Sequence, residues 1–399
     1  MTLAAVDLDL ARMRRERRAR LTAAMARHDV PALLLLGRAN VQYATGWSWS
    51  PSDAGRAHQE PTIALVCCDD DRPHLFTPEP ESAPPDLDPA HVHAALHPEC
   101  EPGVRTLATR IREILGPRSE GRIGLDEETA PLHLQLGEHL PRLERVDAVP
   151  ILSEARACKT RDEIECLRRA QRINDLAMIE VQATLRPGMR PCDLTGRFLS
   201  HAFALGASGN VVDPIWQWMP DRLASGPLSV NGEVVFPLPS SDRELQGGDV
   251  VWVDTGLSYE GYVSDFGRTW IVGDAPSAAQ RALFRRWQEV VERVLGVLRV
   301  GATAGDLTEA ARAGEPRTPW LRHLYLGHGA GLDSAEMPLI GTDLGEAFDR
   351  SLPIAAGMVV VLEPVVWVEG VGGHRAEMSF VVTDDGWERL SDHPFAPFD

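Results

Sequence analysis

Val250-Val-Trp-Val-Asp254-Thr-Gly-Leu-Ser-Tyr-Glu-Gly-Tyr-Val-Ser-Asp265 decides the fold, because it reads as a β-hairpin with one carboxylate on each arm. An apolar run ends at Asp254, Ser258-Tyr259-Glu260-Gly261 supplies turn residues, and Tyr262 to Trp270 returns as a strand. With the turn centred between Tyr259 and Glu260, Asp254 and Asp265 stand directly opposite each other. Cβ atoms of opposed residues lie roughly 4.5–5.5 Å apart. Two carboxylates that close, on strands apolar enough to be buried, repel by roughly 3 kcal/mol at an effective dielectric of about 20. A cation between them removes that cost.

The pattern occurs twice. Leu185-Arg-Pro-Gly188 followed by Asp193-Leu-Thr195 recurs, at the same spacing, as Leu298-Arg-Val-Gly301 followed by Asp306-Leu-Thr308. Gly248-Asp-Val-Val-Trp-Val-Asp254 corresponds to Gly357-Met-Val-Val-Val-Leu-Glu363. The second copy then has Gly-rich turn material over 369–373 and a returning strand from Arg375 to Thr383 that carries Glu377. A turn centred on Gly370 sets Glu363 opposite Glu377. Two such hairpins related by a pseudo-twofold bring four carboxylates together. Oxygen-rich sites of this kind favour divalent manganese, cobalt, zinc or iron, and bridging carboxylates suit a pair of ions roughly 3.5–4 Å apart. His328, in Gly327-His-Gly-Ala-Gly331 between the two pairs, is the fifth candidate ligand. Its flanking glycines allow close backbone approach.

Outward from these hairpins, Asp162–Gln182 has the spacing of an amphipathic helix, and a second such helix opens with the capping box Ser277-x-x-Gln280. Residues 156–399 therefore form one domain. Residues 1–155 alternate helix and strand patterns, with apolar strands at Pro31–Gly37 and Pro61–Cys67, and read as an α/β domain. The basic run within Leu10–His28 reads as the solvated face of a helix. His91, His93 and His97 fall in a stretch rich in Pro, Glu and Asp, which reads as a polar loop rather than a metal site.

Composition excludes several function classes. The 399 residues are 44% hydrophobic with a formal net charge of −18, and no Lys/Arg run is interleaved with aromatics, so nucleic acid is not expected as a partner. None of the six cysteines forms a CxxC pair, which argues against zinc-thiolate and redox motifs. The Arg-rich start has no apolar segment of signal or membrane character, so the expectation is a cytoplasmic protein without a membrane span.

These segments resemble the pita-bread metallopeptidase family of methionine aminopeptidases, aminopeptidase P, prolidase and creatinase. The matching stretches are Asp254-Thr-Gly, Gly261 to Thr269, Gly327 to Leu332, Glu363-Pro, Gly372 to Glu377 and Thr383-Asp-Asp-Gly386. Lys159 to Glu165 resembles the start of that domain in two-domain members, and Asn40 to Gly46 resembles their creatinase-like N-terminal domain. The fold implied is α+β: a pita-bread C-terminal domain with an internal pseudo-twofold repeat, behind an α/β creatinase-like domain. The resemblance carries the ligand set onto Asp254, Asp265, His328, Glu363 and Glu377, and implies two divalent ions, manganese first. It implies hydrolysis by a metal-activated hydroxide with Glu363 handling the proton, and a homodimer. Arg375 would anchor a substrate carboxylate, hold the Glu377 carboxylate, or serve as an ordinary ion pair.

The chain departs from the family at two histidines that contact substrate in the peptidases. One position is Ala335, and the other falls in Val234–Pro239, near Pro237, with no histidine between residues 202 and 322. Losing one such contact costs roughly 10²–10³ in rate. His323 and His374 are the candidate replacements, and Trp216, Trp218 and Met219 either line a pocket or simply pack. The expected function is a dinuclear metal-dependent hydrolase cleaving a C–N bond of a small Xaa-Pro-like or modified amino-acid substrate. An amidine or cyclic-amidine hydrolase or a lyase ranks second, and a catalytically idle binding protein third.

Overall fold

The computed structural model describes residues 3, 7–48, 61–70, 72–219, 242–313, 326–341, 344–368 and 370–394. The chain divides into two compact units, Leu8–Arg156 and a second that runs from Ala157 onward.

In the first unit a six-stranded sheet has the order β4-β3-β2-β1-β5-β6, formed by β1 (Ala32–Leu35), β2 (Ile63–Cys67), β3 (His74–Thr77), β4 (Val92–Ala94), β5 (Arg122–Leu125) and β6 (Glu144–Asp147). β1 and β2 are buried along their whole length, which is why both read as unbroken apolar runs instead of alternating. The helices are α1 (Leu10–Arg27), α2 (Arg38–Thr45), α3 (Glu101–Leu115), α4 (Ala130–His139) and α5 (Val149–Ala157). α3 turns Val104, Leu107, Ala108, Ile111 and Leu115 into the core against β1, β2 and β5.

Two readings of this unit are corrected. The basic run of α1 is not wholly solvated: Arg14 and Arg17 are buried. Arg17 donates to Gln42 O at 3.2 Å and lies over the Tyr43 ring, so a carbonyl and an aromatic face replace water around its guanidinium. The stretch around His91 is also more than a loop. β4 pairs in parallel with β3 and stacks His91 and His93 beside His74, with ring centroids 4.0 and 5.3 Å from it.

The second unit shows the repeat. Its first half holds α6 (Arg161–Thr184), α7 (Pro191–Ala204), β7 (Gly209–Trp218), β8 (Val250–Tyr259), β9 (Tyr262–Val263) and β10 (Phe266–Ile271). Its second half holds α8 (Ala278–Leu295), α9 (Ala304–Arg312), β11 (Gly327–Gly329), β12 (Glu336–Ile340), α10 (Glu346–Ser351), β13 (Val359–Leu362), β14 (Val365–Val368), β15 (Gly372–Arg375), β16 (Met378–Thr383) and β17 (Gly386–Arg389). In each half a long helix ends at the Leu-Arg-x-Gly segment and a short one begins just beyond it. The matching aspartates cap those short helices alike: Asp193 accepts from Arg190 N at 3.0 Å and Asp306 from Thr303 N at 2.7 Å. The predicted box at α8 is present in both directions, Gln280 N to Ser277 Oγ and Ser277 N to Gln280 Oε1. The first half builds the sheet β10-β8-β7 with β9 on β8, and the second builds β12-β11-β13-β16-β17 with the ribbon β14-β15. Each half packs its helices on its sheet around its own apolar cluster. Among the described residues, no helix is long and apolar enough to cross a membrane.

Candidate metal centre

The first hairpin forms with a different register from the one expected. Its turn is Glu260-Gly261, both with positive φ (51° and 83°), the geometry of a two-residue type I′ turn that matches the strand twist. Asp254 therefore faces Gly267, not Asp265. The slip is two residues, and since side chains alternate with period two, Asp254 and Asp265 remain on one face. The second hairpin has the expected register. Val365 pairs with Arg375 on one side, Leu362 pairs with Met378 on the other, and Glu363 and Glu377 stand in the gap between these ladders.

One backbone bond and two side-chain bonds to backbone carbonyls join the hairpins at this gap. Glu377 N donates to Gly267 O at 2.8 Å, Thr269 Oγ1 donates to Arg375 O at 2.7 Å, and buried Arg268 donates to Glu377 O at 2.7 Å. Gly267 is needed for this approach, because a Cβ there would stand 2.5 Å from the Glu377 carboxyl carbon. Gly267→Ala is therefore expected to cost about 1–3 kcal/mol by overpacking and to lower metal content together with stability. Denaturant unfolding with chelator and elemental analysis check this; unchanged values in both would contradict the packing.

Oxygens of Asp254, Asp265 and Glu377 lie within 4.8 Å of one another, a group able to hold a cation. His328 Nε2 lies 3.4 Å from Asp265 Oδ2 and 3.1 Å from Glu363 Oε1. The glycines flanking His328 admit it: a Cβ on Gly327 or Gly329 would come within 2.1 Å of Val361 O or 2.2 Å of Met337 O. Arg375 Nη2 contacts Glu363 Oε2 and lies 2.8 Å from Glu377 Oε1, and its guanidinium stacks on Trp252 at 4.1 Å.

Burial pushes Asp254 up to about 8 and Asp265 up to about 7, with Glu377 and Asp254 respectively adding like-charge repulsion. Glu377 is pushed well above the usual carboxylate range by burial and then by Asp265. Burial lowers His328, favouring its neutral form. Its Nδ1 lies 2.9 Å from Gly329 O, and a carbonyl only accepts, so Nδ1 carries the proton. The Nε2 lone pair then faces two carboxylates, acceptor against acceptors. Buried Glu377 Oε2 has no hydrogen-bond partner. A divalent cation would draw on all five side chains at once, so the residues fit a metal centre by donor chemistry and by the orphaned Glu377 Oε2.

The substrate-side candidates fare differently. His374 is corrected: it is adjacent to Arg375 on β15 and so points to the opposite face, where its ring lies 5.1 Å from Phe284 and 5.3 Å from Trp287 in the apolar core of the second half. His323 lies outside the described residues, as do Val234–Pro239. Ala335 is exposed, and its neighbour Glu336 is held by buried Lys159 at 2.7 Å. Trp216 packs in the core, with Nε1 donating to Thr195 Oγ1, whereas the Met219 methyl sits over Gly373 on the metal side.

Several residues here escaped the sequence reading. Trp252 supports Arg375, and Gln217 pairs across from Trp252 on β7. Gln217 gives its amide N–H to Trp218 O, leaving Oε1 a buried acceptor without a partner on the metal-facing side. Alternation along β7 and β8 placed both on the Asp254 face, but an apolar run gave no reason to single them out.

Comparison with known proteins matches residues 165–384 to metallopeptidase family M24 and residues 17–158 to the creatinase/prolidase N-terminal domain. The Xaa-Pro dipeptidase of Pyrococcus furiosus is 29% identical over 243 residues, 60% of this chain and 65% of that enzyme. The chain thus spans just under two thirds of that relative's length. The Xaa-Pro aminopeptidase of Escherichia coli is 28% identical over 62% of this chain and 58% of its own. A prolidase structure from Thermococcus sibiricus superposes with a TM-score of 0.78 at 22% identity, covering 98% of this chain and 99% of that one, a likeness of fold.

Proposed function

This chain belongs to metallopeptidase family M24, and from that premise we propose that it is a dinuclear metal-dependent hydrolase cleaving a C–N bond of a small Xaa-Pro-like or modified amino-acid substrate. The observation that carries the reading is that the five donors fall into two overlapping groups. Asp254, Asp265 and Glu377 form one, Asp265, His328 and Glu363 the other, and Asp265 belongs to both. Shared ligation of this kind suits a pair of ions, with manganese the first choice for so oxygen-rich a set. Bound divalent ions would lower the pKa of a water and polarise the scissile carbonyl.

The protein's own groups supply the rest. Glu363, buried beside His328, is placed to take a proton and return it to the leaving nitrogen. Neutral His328 presents Nε2 as a ligand because Gly329 O fixes its tautomer. Arg375, sandwiched between Trp252 and the two glutamates, holds their carboxylates in place and offers a cation for a substrate carboxylate.

Metal-stripped protein reloaded with Mn²⁺, Co²⁺, Zn²⁺ or Fe²⁺ is expected to hydrolyse at least one Xaa-Pro dipeptide and to lose that activity on chelation. Silence on every dipeptide and small amide with every metal would overturn the reading. A second reading, an amidine or cyclic-amidine hydrolase or a lyase, is favoured by exposed Ala335 and core-facing His374, which leave the usual imidazole contacts unfilled among the described residues. Turnover of a cyclic amidine with silence on dipeptides would select it.

A further inference from the structure

The ladder of the first hairpin breaks at the residue that both donor groups share. β9 ends at Val263 and β10 begins at Phe266, so Ser264 and Asp265 lie outside the strands. Ser264 N still donates to Leu257 O at 2.8 Å, but the return bond goes to a side chain, and α6 supplies further side-chain bonds around it. Gln171, Asn174 and Asp175 stand at i, i+3 and i+4 on one face of that helix, and all three are buried. Asn174 Nδ2 donates to Thr255 O and to Ser264 Oγ, both at 3.0 Å, and Asn174 Oδ1 accepts from Thr255 Oγ1 at 3.0 Å. Ser264 Oγ in turn accepts from Leu257 N at 3.0 Å, a bond the ladder would otherwise make. Gln171 Oε1 accepts from Asp265 N at 3.2 Å, and Gln171 Nε2 is steadied by Asp175 Oδ1 at 3.0 Å.

Thr255 follows Asp254 and Ser264 precedes Asp265. By alternation, the face carrying Thr255 and Ser264 meets α6, and the face carrying both aspartates is turned to the metal centre. One amide therefore ties the two strands at the residues next to both carboxylates. Without it, Asp265 would be placed by the turn at Glu260-Gly261, the β10 ladder, the Ser264–Leu257 bonds and Gln171, with no bond joining Ser264 to Thr255 across the strands. We propose that Asn174, supported by Gln171, is a positioning residue of the metal centre: it holds Asp265 at the spacing from Asp254 that lets the two carboxylates share one cation with Glu377. This rests on the dinuclear reading above.

The consequence falls chiefly on the ion that Asp254, Asp265 and Glu377 would hold together. Asn174→Ala loosens the pairing of Asp254 with Asp265 and leaves His328 and Glu363 untouched. Outer contacts of this kind change metal affinity by roughly 10–100-fold. Titration of stripped protein with Mn²⁺ by calorimetry, followed by electron paramagnetic resonance of the coupled Mn²⁺ pair, is expected to show two ions in the unaltered chain. In Asn174→Ala the ion assigned to Asp254, Asp265 and Glu377 should bind at least about 10-fold less tightly, and the coupled signal should be lost at Mn²⁺ concentrations that fill both positions in the unaltered chain. Ser264→Ala removes the Asn174 Nδ2–Ser264 Oγ bond and the Oγ bonds to Leu257 while keeping Asn174 on Thr255, and it carries the test if Asn174→Ala fails to fold. Val290→Ala, in the α8 core, is the control for simple destabilisation: it should lower the melting temperature and keep both ions. Two ions bound with unchanged affinity in both Asn174→Ala and Ser264→Ala, or a loss matched by Val290→Ala, would overturn the proposal. An unaltered chain that binds fewer than two ions would remove the dinuclear reading itself and the inference with it.

Discussion

Glu363→Gln is expected to lower kcat by about 10²–10⁴ while the chain stays folded. The substitution keeps shape and removes charge and basicity. Glu363 is held by its backbone, whose N–H donates to Leu326 O at 3.0 Å, and by two side-chain contacts, His328 Nε2 on one oxygen and Arg375 on the other. A glutamine amide satisfies both: its oxygen accepts from Arg375 and its NH₂ donates to the His328 lone pair. No buried donor or acceptor is orphaned, so a fall in stability beyond about 1 kcal/mol is not expected. On the proposed reading, what disappears is the proton acceptor together with one anionic metal ligand. Steady-state kinetics at saturating Mn²⁺, with metal content measured in parallel, separates the two losses. A kcat that falls with both ions still bound assigns Glu363 to proton transfer. A kcat that recovers fully at high Mn²⁺ would make it a ligand only, and an unchanged kcat would put the chemistry elsewhere.

How far the sequence carries such an argument depends on what each residue's neighbours reveal. Asp254, Asp265, Glu363 and Glu377 stand out because carboxylates interrupt apolar strands, and the repeat links them without knowledge of packing. The register of the first hairpin is less legible, because its turn puts Glu260 in the left-handed region, where Asn, Asp or Gly are the usual signals. The two carboxylates still share a face only because a shift of two preserves it. His374 illustrates the opposite: its separation from Arg375 is one residue in sequence and the full thickness of a strand in space. The polar face of α6 hid for another reason. Gln171, Asn174 and Asp175 border an apolar stripe, where polar residues ordinarily mark the edge of a solvated surface, and only the broken ladder at Ser264 shows what they serve. Burial of Arg14 and Arg17 is likewise invisible, since their partners, the Asp86 carboxylate for Arg14 and a distant carbonyl and a ring for Arg17, leave no local pattern.

Stripped of divalent ions, the protein is expected to lose stability as pH rises from about 4 to about 8. Asp254 and Asp265 are raised to about 8 and about 7 in the folded chain, and Glu377 is raised as well, each chiefly by burial. Unfolded, the same carboxyls titrate near 4. The folded state therefore keeps protons that the unfolded chain has already released. That contribution is fully present below the unfolded values and is lost as pH climbs through the folded ones, the reverse of an ordinary salt-bridged aspartate. One proton carried across three pH units is worth on the order of 4 kcal/mol, a shift in melting temperature on the order of 10 °C. Cations compete with these protons, because the carboxylates bind metal only when ionised. Mn²⁺ should accordingly stabilise little at pH 5 and strongly at pH 8, where 100 times its dissociation constant adds about 2.7 kcal/mol per site. Calorimetry from pH 5 to pH 8, with chelator and with Mn²⁺, reads both slopes. Asp254→Asn removes a titrating group and its repulsions with Glu377 and Asp265 together, so it should flatten the chelated slope and weaken the Mn²⁺ response. A chelated melting temperature that holds level or climbs between pH 5 and pH 8, or an Asp254→Asn slope equal to that of the unaltered chain, would show that the carboxylate cluster is not what the pH is titrating.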